Sequence, residues 1–251
     1  MSTGIPLAIA IVLLAGQVAD VAARPRPAPF KLVPVEPTEA EIAKSSGDAH
    51  LAARDLDLAI ADYARAIELD PKMTSAFNNR GVAFLEQADC ERAIADFTTT
   101  ITLDPTIASA WLDRGEARER LGQTAAAVTD FDEAIRLDPT TAEAFRQRAF
   151  LRQFNGDNDL AVSDYSALIA LTPKDADAYR GRGFAELSLH RDSAAVADLT
   201  TAISLNPRDA LAYSFRAKAY VEMHDLTRAS RDDDAAIRLT GRLPLGVKSD
   251  P

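Results

Sequence analysis

Residues 108–141 read ASAWLDRGEARERLGQTAAAVTDFDEAIRLDPTT. This stretch decides the fold, because its closing proline belongs to a series. Pro71, Pro105, Pro139, Pro173 and Pro207 stand 34 residues apart. Four of them close the sequences ELDP, TLDP, RLDP and SLNP, with LTP the exception. A proline lacks the amide hydrogen a helix interior needs, so each marks a helix end.

Counted in blocks of 34 residues from Ala40, the eighth place holds Gly47, Gly81, Gly115, Ala149, Gly183 and Ala217. The twentieth holds Ala59, Ala93, Ala127, Ala161, Ala195 and Ala229. Small residues at both places let two antiparallel helices approach closely, so each block is a helical hairpin. Bulky groups recur at the fourth place, as Phe77, Trp111, Phe145, Tyr179 and Tyr213, and at the twenty-fourth, as Tyr63, Phe97, Phe131, Tyr165 and Leu199. They are expected to fill the space beside the close approach.

On these residues the chain resembles the tetratricopeptide repeat family, whose 34-residue unit is a helix-turn-helix with this pattern of small, bulky and proline positions. The resemblance spans 38–241 as six repeats, and it implies an all-α, right-handed superhelical solenoid of antiparallel hairpins. The ends depart from the pattern: Ala43 replaces the first bulky residue, while Asp233 and Gly241 replace the last aromatic and proline. A terminal repeat has one face without a neighbour, and the polar run Arg231-Asp232-Asp233-Asp234 suits a cap. Thr38 followed by Glu41 is a capping-box signature for the first helix.

Ahead of the repeats, residues 5–15 (IPLAIAIVLLA) form an uncharged apolar run, and Val21-Ala22-Ala23 supplies the small residues of a signal-peptidase site. The run is shorter than the roughly 20 residues of a membrane-spanning helix. Residues 1–23 are therefore expected to be a signal peptide, with a mature chain from Arg24 that is periplasmic or secreted. An uncleaved anchor and a cytoplasmic chain are the alternatives. No Lys or Arg precedes the run, whereas Arg24, Arg26 and Lys31 follow it, an asymmetry that opposes export. Five prolines make 24–37 an extended linker, and 242–251 is a tail too short for another hairpin.

Composition narrows the function. Against 28 basic side chains stand 38 acidic ones, a net charge of -10, which argues against a nucleic-acid surface. The single cysteine, Cys90, excludes an intramolecular disulfide and is placed in the turn of the second hairpin. His50, His190 and His224 read as solvated residues; the last two occupy the same turn of neighbouring blocks, too far apart to share a metal ion. No motif of nucleophilic, phosphate-binding or zinc-dependent catalysis occurs in the repeats. No cofactor and no enzymatic activity are expected.

A charged lattice runs through the blocks. Arg80, Arg114, Arg148, Arg182 and Arg216 share the seventh place, and Asp62, Asp96, Asp130, Asp164, Asp198 and Asp232 the twenty-third. Repetition of Arg alone favours forked pairing with carboxylates over a solvated stripe. Pairing between blocks, Asp62 with Arg80, is expected, because it leaves only Asp232 unmatched at the solvated end.

A second stripe on each first helix, at places two, five, six, nine and twelve, lines the concave groove by resemblance. It is mostly polar in the first three blocks, with Asn78, Asn79, Asp113, Glu116, Glu119 and an interspersed Leu112. In the last three it carries Phe150, Phe184, Leu187 and Phe215, with Phe154 one place further on and Arg146, Arg180 and Lys218 between them. Apolar anchors in a peptide groove explain so many phenylalanines; packing of Phe150 and Phe184 against the next hairpin is the alternative. The Asn at place nine used by family members that bind chaperone C-termini is absent here. The expectation is a noncatalytic scaffold that holds a protein or peptide segment with apolar anchors and acidic flanks. A self-assembling structural protein and an accessory subunit of an exported or membrane-associated enzyme complex are the alternatives.

Overall fold

The computed structural model describes residues 36–241, so the expected signal sequence, nearly all of the proline-rich linker and the tail lie outside the described residues. Within them the chain forms twelve α-helices and no strand. They are α1 (Glu39–Ala52), α2 (Leu56–Leu69), α3 (Thr74–Glu86), α4 (Cys90–Leu103), α5 (Ala108–Arg120), α6 (Thr124–Leu137), α7 (Ala142–Phe154), α8 (Asn158–Leu171), α9 (Ala176–Ser188), α10 (Asp192–Leu205), α11 (Ala210–Glu222) and α12 (Leu226–Thr240). Every helix packs mainly on its neighbours in sequence, which makes six hairpins stacked as a solenoid.

Local chemistry sets the boundaries. Thr38 and Glu41 form the expected capping box: the Glu41 amide donates to the Thr38 hydroxyl at 3.2 Å, and the Thr38 amide to the Glu41 carboxylate at 2.7 Å. Asp70, Asp104 and Asp138 each end a helix and accept from the amide two residues on, at 3.0, 2.9 and 2.9 Å, folding the chain around the following proline. Within each hairpin the turn has one left-handed residue at the same place: Arg54, Ala88, Gly122, Gly156, His190 and His224, with φ between 56° and 87°. Only glycine takes that conformation without a steric penalty. His190 and His224 are thus exposed turn residues, but His50 lies within α1. Cys90, expected in the turn, is instead the buried first residue of α4.

Close approach within the hairpin is as tight as the small residues imply. A Cβ added to Gly47, Gly81, Gly115 or Gly183 would lie 2.6–2.8 Å from the side chain of Tyr63, Phe97, Phe131 or Leu199, respectively. Those four side chains are fully buried. The fourth-place aromatics are half-buried: Phe145 and Tyr179 pack against the core as expected, and the place-seven guanidinium lies over the ring, 5.7 Å away at Phe77, 4.9 Å at Trp111 and 5.6 Å at Phe145.

The charged lattice is paired, and the register corrects the expectation. Each Arg grips the Asp of its own hairpin through Nε and Nη2: Arg80 with Asp96 at 2.8 and 2.8 Å, Arg182 with Asp198 at 2.7 and 2.7 Å, Arg216 with Asp232 at 2.7 and 2.8 Å. The reason is geometric. Glycine at place eight sits against place twenty-four, so place seven is brought opposite place twenty-three of the same hairpin. The remaining Nη1 does reach the preceding hairpin, to the Thr98 hydroxyl from Arg114, Ser166 from Arg182 and Thr200 from Arg216, at 3.0–3.1 Å. Asp62, not Asp232, is therefore the carboxylate without an Arg, and His50 Nδ1 meets it at 2.8 Å. Arg118 and Arg152, at the place of His50 in their own blocks, add a further contact to Asp130 and Asp164, each at 2.7 Å.

Loss of one partner of a buried pair costs roughly 3–5 kcal/mol. Arg182→Ala, which leaves Asp198 with no guanidinium, is expected to lie in that range. Arg148→Ala is expected to cost less, because Arg152 still holds Asp164. Urea denaturation of the two variants measures this; losses of under about 1 kcal/mol in both would show a solvated stripe instead.

Candidate functional site

Odd-numbered helices form one layer of the solenoid, touching one another as α1–α3, α3–α5, α7–α9 and α9–α11. Layers that converge lie on the inside of a curved stack, so the groove is walled by the odd-numbered helices. In its second half the groove deepens into a cavity of about 510 Å³, walled by Phe150, Phe184 and Phe215 with Arg146, Arg180 and Glu119 at its edge. Phe150 is 52% exposed and is no packing residue of the next hairpin. Phe184 and Phe215 stack with ring centroids 4.6 Å apart at 37°.

The floor has a cause that can be traced to two small residues exchanging places. In block four the eighth place is Ala149, whose Cβ occupies the space that glycine leaves for the ring in blocks one to three. Tyr165 lies instead against Gly181, the sixth-place residue of the next hairpin; a Cβ there would clash with Tyr165 Cζ, Cε1 and Oη. The Tyr165 hydroxyl reaches Gln153 Oε1 at 3.4 Å, and Gln153 Nε2 donates to the Gly181 carbonyl at 3.0 Å. Gly181 and Tyr165 line the cavity together with Phe150 and Phe184, the Tyr165 ring filling the space that a side chain at Gly181 would take.

Both arginines of the cavity are already neutralised. Arg146 donates to Asp175 at 2.7 Å and Glu143 at 3.1 Å; Arg180 pairs with Asp209 at 2.6 Å and Asp177 at 2.8 Å. Asp175 and Asp209 also cap α9 and α11, accepting from the amides of Ala178 and of Leu211 and Ala212. Burial alone would raise the Asp175 carboxyl, but the Arg146 guanidinium and the Ala178 amide hold it below the usual range. The Glu119 carboxylate, by contrast, has no hydrogen bond or ion pair among the described residues. Burial, Glu116 and Glu143 push it above the ordinary range, against the pull of Arg120.

Of the expected groove residues the structure brings Arg146, Phe150, Arg180, Phe184 and Phe215 to one cavity. Leu187 is a correction: it is 4% exposed within the core of the fifth and sixth hairpins, because its helical position turns it toward Leu199 and Ala202. Leu112 packs against the core around Phe131 and Leu151. Phe154, 78% exposed at the end of α7, and exposed Lys218 lie outside the cavity lining, as do Asn78 and Asn79. Asn79 donates to Asp48 at 2.9 Å, sharing it with the Tyr63 hydroxyl, so it belongs to a separate polar floor in the first half. Tyr165 and Gly181 were not foreseen. The signal was present: Gly is missing from place eight of one block and present at place six of the next.

The description "Tetratricopeptide repeat" belongs to a family model that matches residues 78–142 and 148–209, and a second TPR model matches 47–88. No curated protein matches the chain significantly. Similar folds among solved structures include MamA, 24% identical, with a TM-score of 0.64 over 68% of this chain and 94% of that one. YrrB, described as "a TPR protein with an unusual peptide-binding site", is 18% identical with a TM-score of 0.67 over 71% of this chain and 92% of that one. The C-terminal part of a TPR repeat-containing protein from Cytophaga hutchinsonii is 19% identical, with a TM-score of 0.67 over 78% of each chain. At these identities the likeness is one of fold.

One acidic group of the groove yields a pH test. Burial, with Glu116 beside it, pushes Asp113 up to about 6. A carboxyl raised by folding holds its proton more tightly in the folded state, so it opposes folding above that pH and the opposition fades as pH falls through it. Asp113→Asn is expected to stabilise the chain by about 1–2 kcal/mol at about pH 8, with a smaller gain at about pH 5.5. Paired thermal or urea denaturation at the two pH values checks both size and trend.

Proposed function

Since the chain belongs to the tetratricopeptide repeat family, we propose that it is a noncatalytic scaffold that holds a segment of a partner protein in the groove of its odd-numbered helices. One observation carries this reading: a cavity of about 510 Å³ whose apolar wall, Phe150, Phe184 and Phe215, stands partly open to solvent. Burial of such surface favours folding or binding at about 25 cal/mol per Å², so an open aromatic wall is a place where a partner's side chain gains by inserting. The Tyr165–Gln153–Gly181 contacts and the Phe184–Phe215 stack hold these parts of the cavity in place, so they need little ordering when a segment enters. A fold relative, YrrB, is described as having a peptide-binding site, which fits this use of the groove.

Phe150→Ala is expected to weaken partner binding by about 2 kcal/mol with little loss of stability, since the ring is half exposed. Phe184→Ala is expected to weaken it at least as much and to cost stability as well, through its stack on Phe215. Cross-linking capture of partners by the wild type and both variants, with stability measured on the same samples, is the test. Partners captured equally by wild type and Phe150→Ala would remove the cavity from the binding site.

The scaffold is proposed to act outside the cytoplasm, on the strength of the apolar run at 5–15 and the Val21-Ala22-Ala23 site. Intact-mass measurement of the natural protein is expected to show a chain beginning at Arg24; a retained Met1 or Ser2 on cytosolic protein would overturn it.

A further inference from the structure

We infer that the segment held in the groove carries a large apolar side chain with a lysine or arginine close to it in sequence, the apolar group against Phe150, Phe184 and Phe215 and the cation against Glu119. This rests on the groove reading above and adds the chemistry of the occupant. The argument is one of charge complementarity within one cavity.

Glu119 and the three phenylalanines line the same space. Arg146 and Arg180 line it too, but their charges are matched by Glu143, Asp175, Asp177 and Asp209. Glu119 lacks any such match, and Glu116, its neighbour one turn away, is already paired to Arg120 at 2.5 Å. The rim is therefore acidic in sum, and its one unmatched charge is a carboxylate beside an aromatic wall. A lysine or arginine entering there gains a charge-assisted hydrogen bond in a cavity lined by aromatic rings, which also attract cations. An acidic flank meets the reverse: repulsion from Glu119 and no free guanidinium to compensate. Acidic flanks, expected from the sequence, presupposed arginines open to a ligand; Asp175 and Asp209, brought in by the next hairpins, have taken that role.

The experiment pans the full chain against a phage-displayed library of random dodecapeptides and measures enriched peptides by fluorescence anisotropy on the wild type, Glu119→Gln and Phe150→Ala. Neither side chain makes a hydrogen bond or ion pair within the fold, so both variants are expected to keep the fold. Enriched peptides are expected to pair a large apolar residue with a nearby Lys or Arg, and Glu119→Gln is expected to weaken them about ten-fold. Replacing the peptide's cation by Gln is expected to abolish that difference between wild type and Glu119→Gln. Enrichment of apolar–acidic peptides, or indifference to Glu119→Gln in peptides that Phe150→Ala weakens, overturns the cationic occupant and leaves the groove reading standing. Peptides indifferent to Phe150→Ala, or a library that enriches nothing, overturn the groove reading and this inference with it.

Discussion

A ring laid against a bare Cα is the contact on which this solenoid depends. In four of the six hairpins a bulky side chain of the second helix occupies the space that a glycine of the first leaves empty, and a single methyl group there would lie within 2.8 Å of it. The contact brings the helices together and also fixes how they are slid along each other. Once place eight faces place twenty-four, place seven must face place twenty-three, and every guanidinium finds a carboxylate sixteen residues on. In these four hairpins steric fit and ion pair specify one register, and the Arg148–Asp164 and Arg216–Asp232 pairs keep it in the fourth and sixth, where place eight is alanine.

Those ion pairs also stitch hairpin to hairpin. A planar guanidinium carries more donors than one carboxylate can accept, so the spare nitrogen turns back to a hydroxyl or carboxylate of the preceding unit, as at Thr98, Asp132, Ser166 and Thr200. An aromatic ring three residues before each Arg covers it and limits its contact with water. Lysine, with a single nitrogen, satisfies only one side of this arrangement, which accounts for the strict use of Arg. At the first hairpin, where no Arg is available, a histidine takes over the surplus Asp62.

The candidate site arises where the seat of the ring is changed while the Arg148–Asp164 pair keeps the register of the hairpin. Ala149 denies Tyr165 the usual seat, Gly181 provides another, and a ring that elsewhere belongs to the hairpin core becomes the floor of a groove. The same region shows how neutral a line of arginines becomes once folded: the caps of α9 and α11 double as counter-ions for Arg146 and Arg180. What is left at the cavity is aromatic surface and an unmatched carboxylate, a charge opposite in sign to the one the linear order of residues suggests.

The periodic features were legible in the sequence, because a repeat of 34 residues puts the same residue in the same environment six times over. Helix ends at Asp-Pro, small residues at the close approach, the capping box at Thr38 and the membership of Phe150, Phe184 and Phe215 in one wall all follow from that averaging. The pairing of the lattice did not follow: Asp62–Arg80, 18 residues apart, and Arg80–Asp96, 16 apart, are both compatible with the 34-residue period, and the packing of the two helices of a hairpin distinguishes them. Leu187 was equally ambiguous, since places on the border between groove and core differ by a small helical rotation that the neighbouring hairpin decides. Partnership of Arg146 with Asp175 and of Arg180 with Asp209 joins residues 29 apart that come together only when one hairpin stacks on the next. Sequence thus determined what repeats, and tertiary structure alone decided what is singular, because a singular site is made by contacts between units that differ from their own pattern.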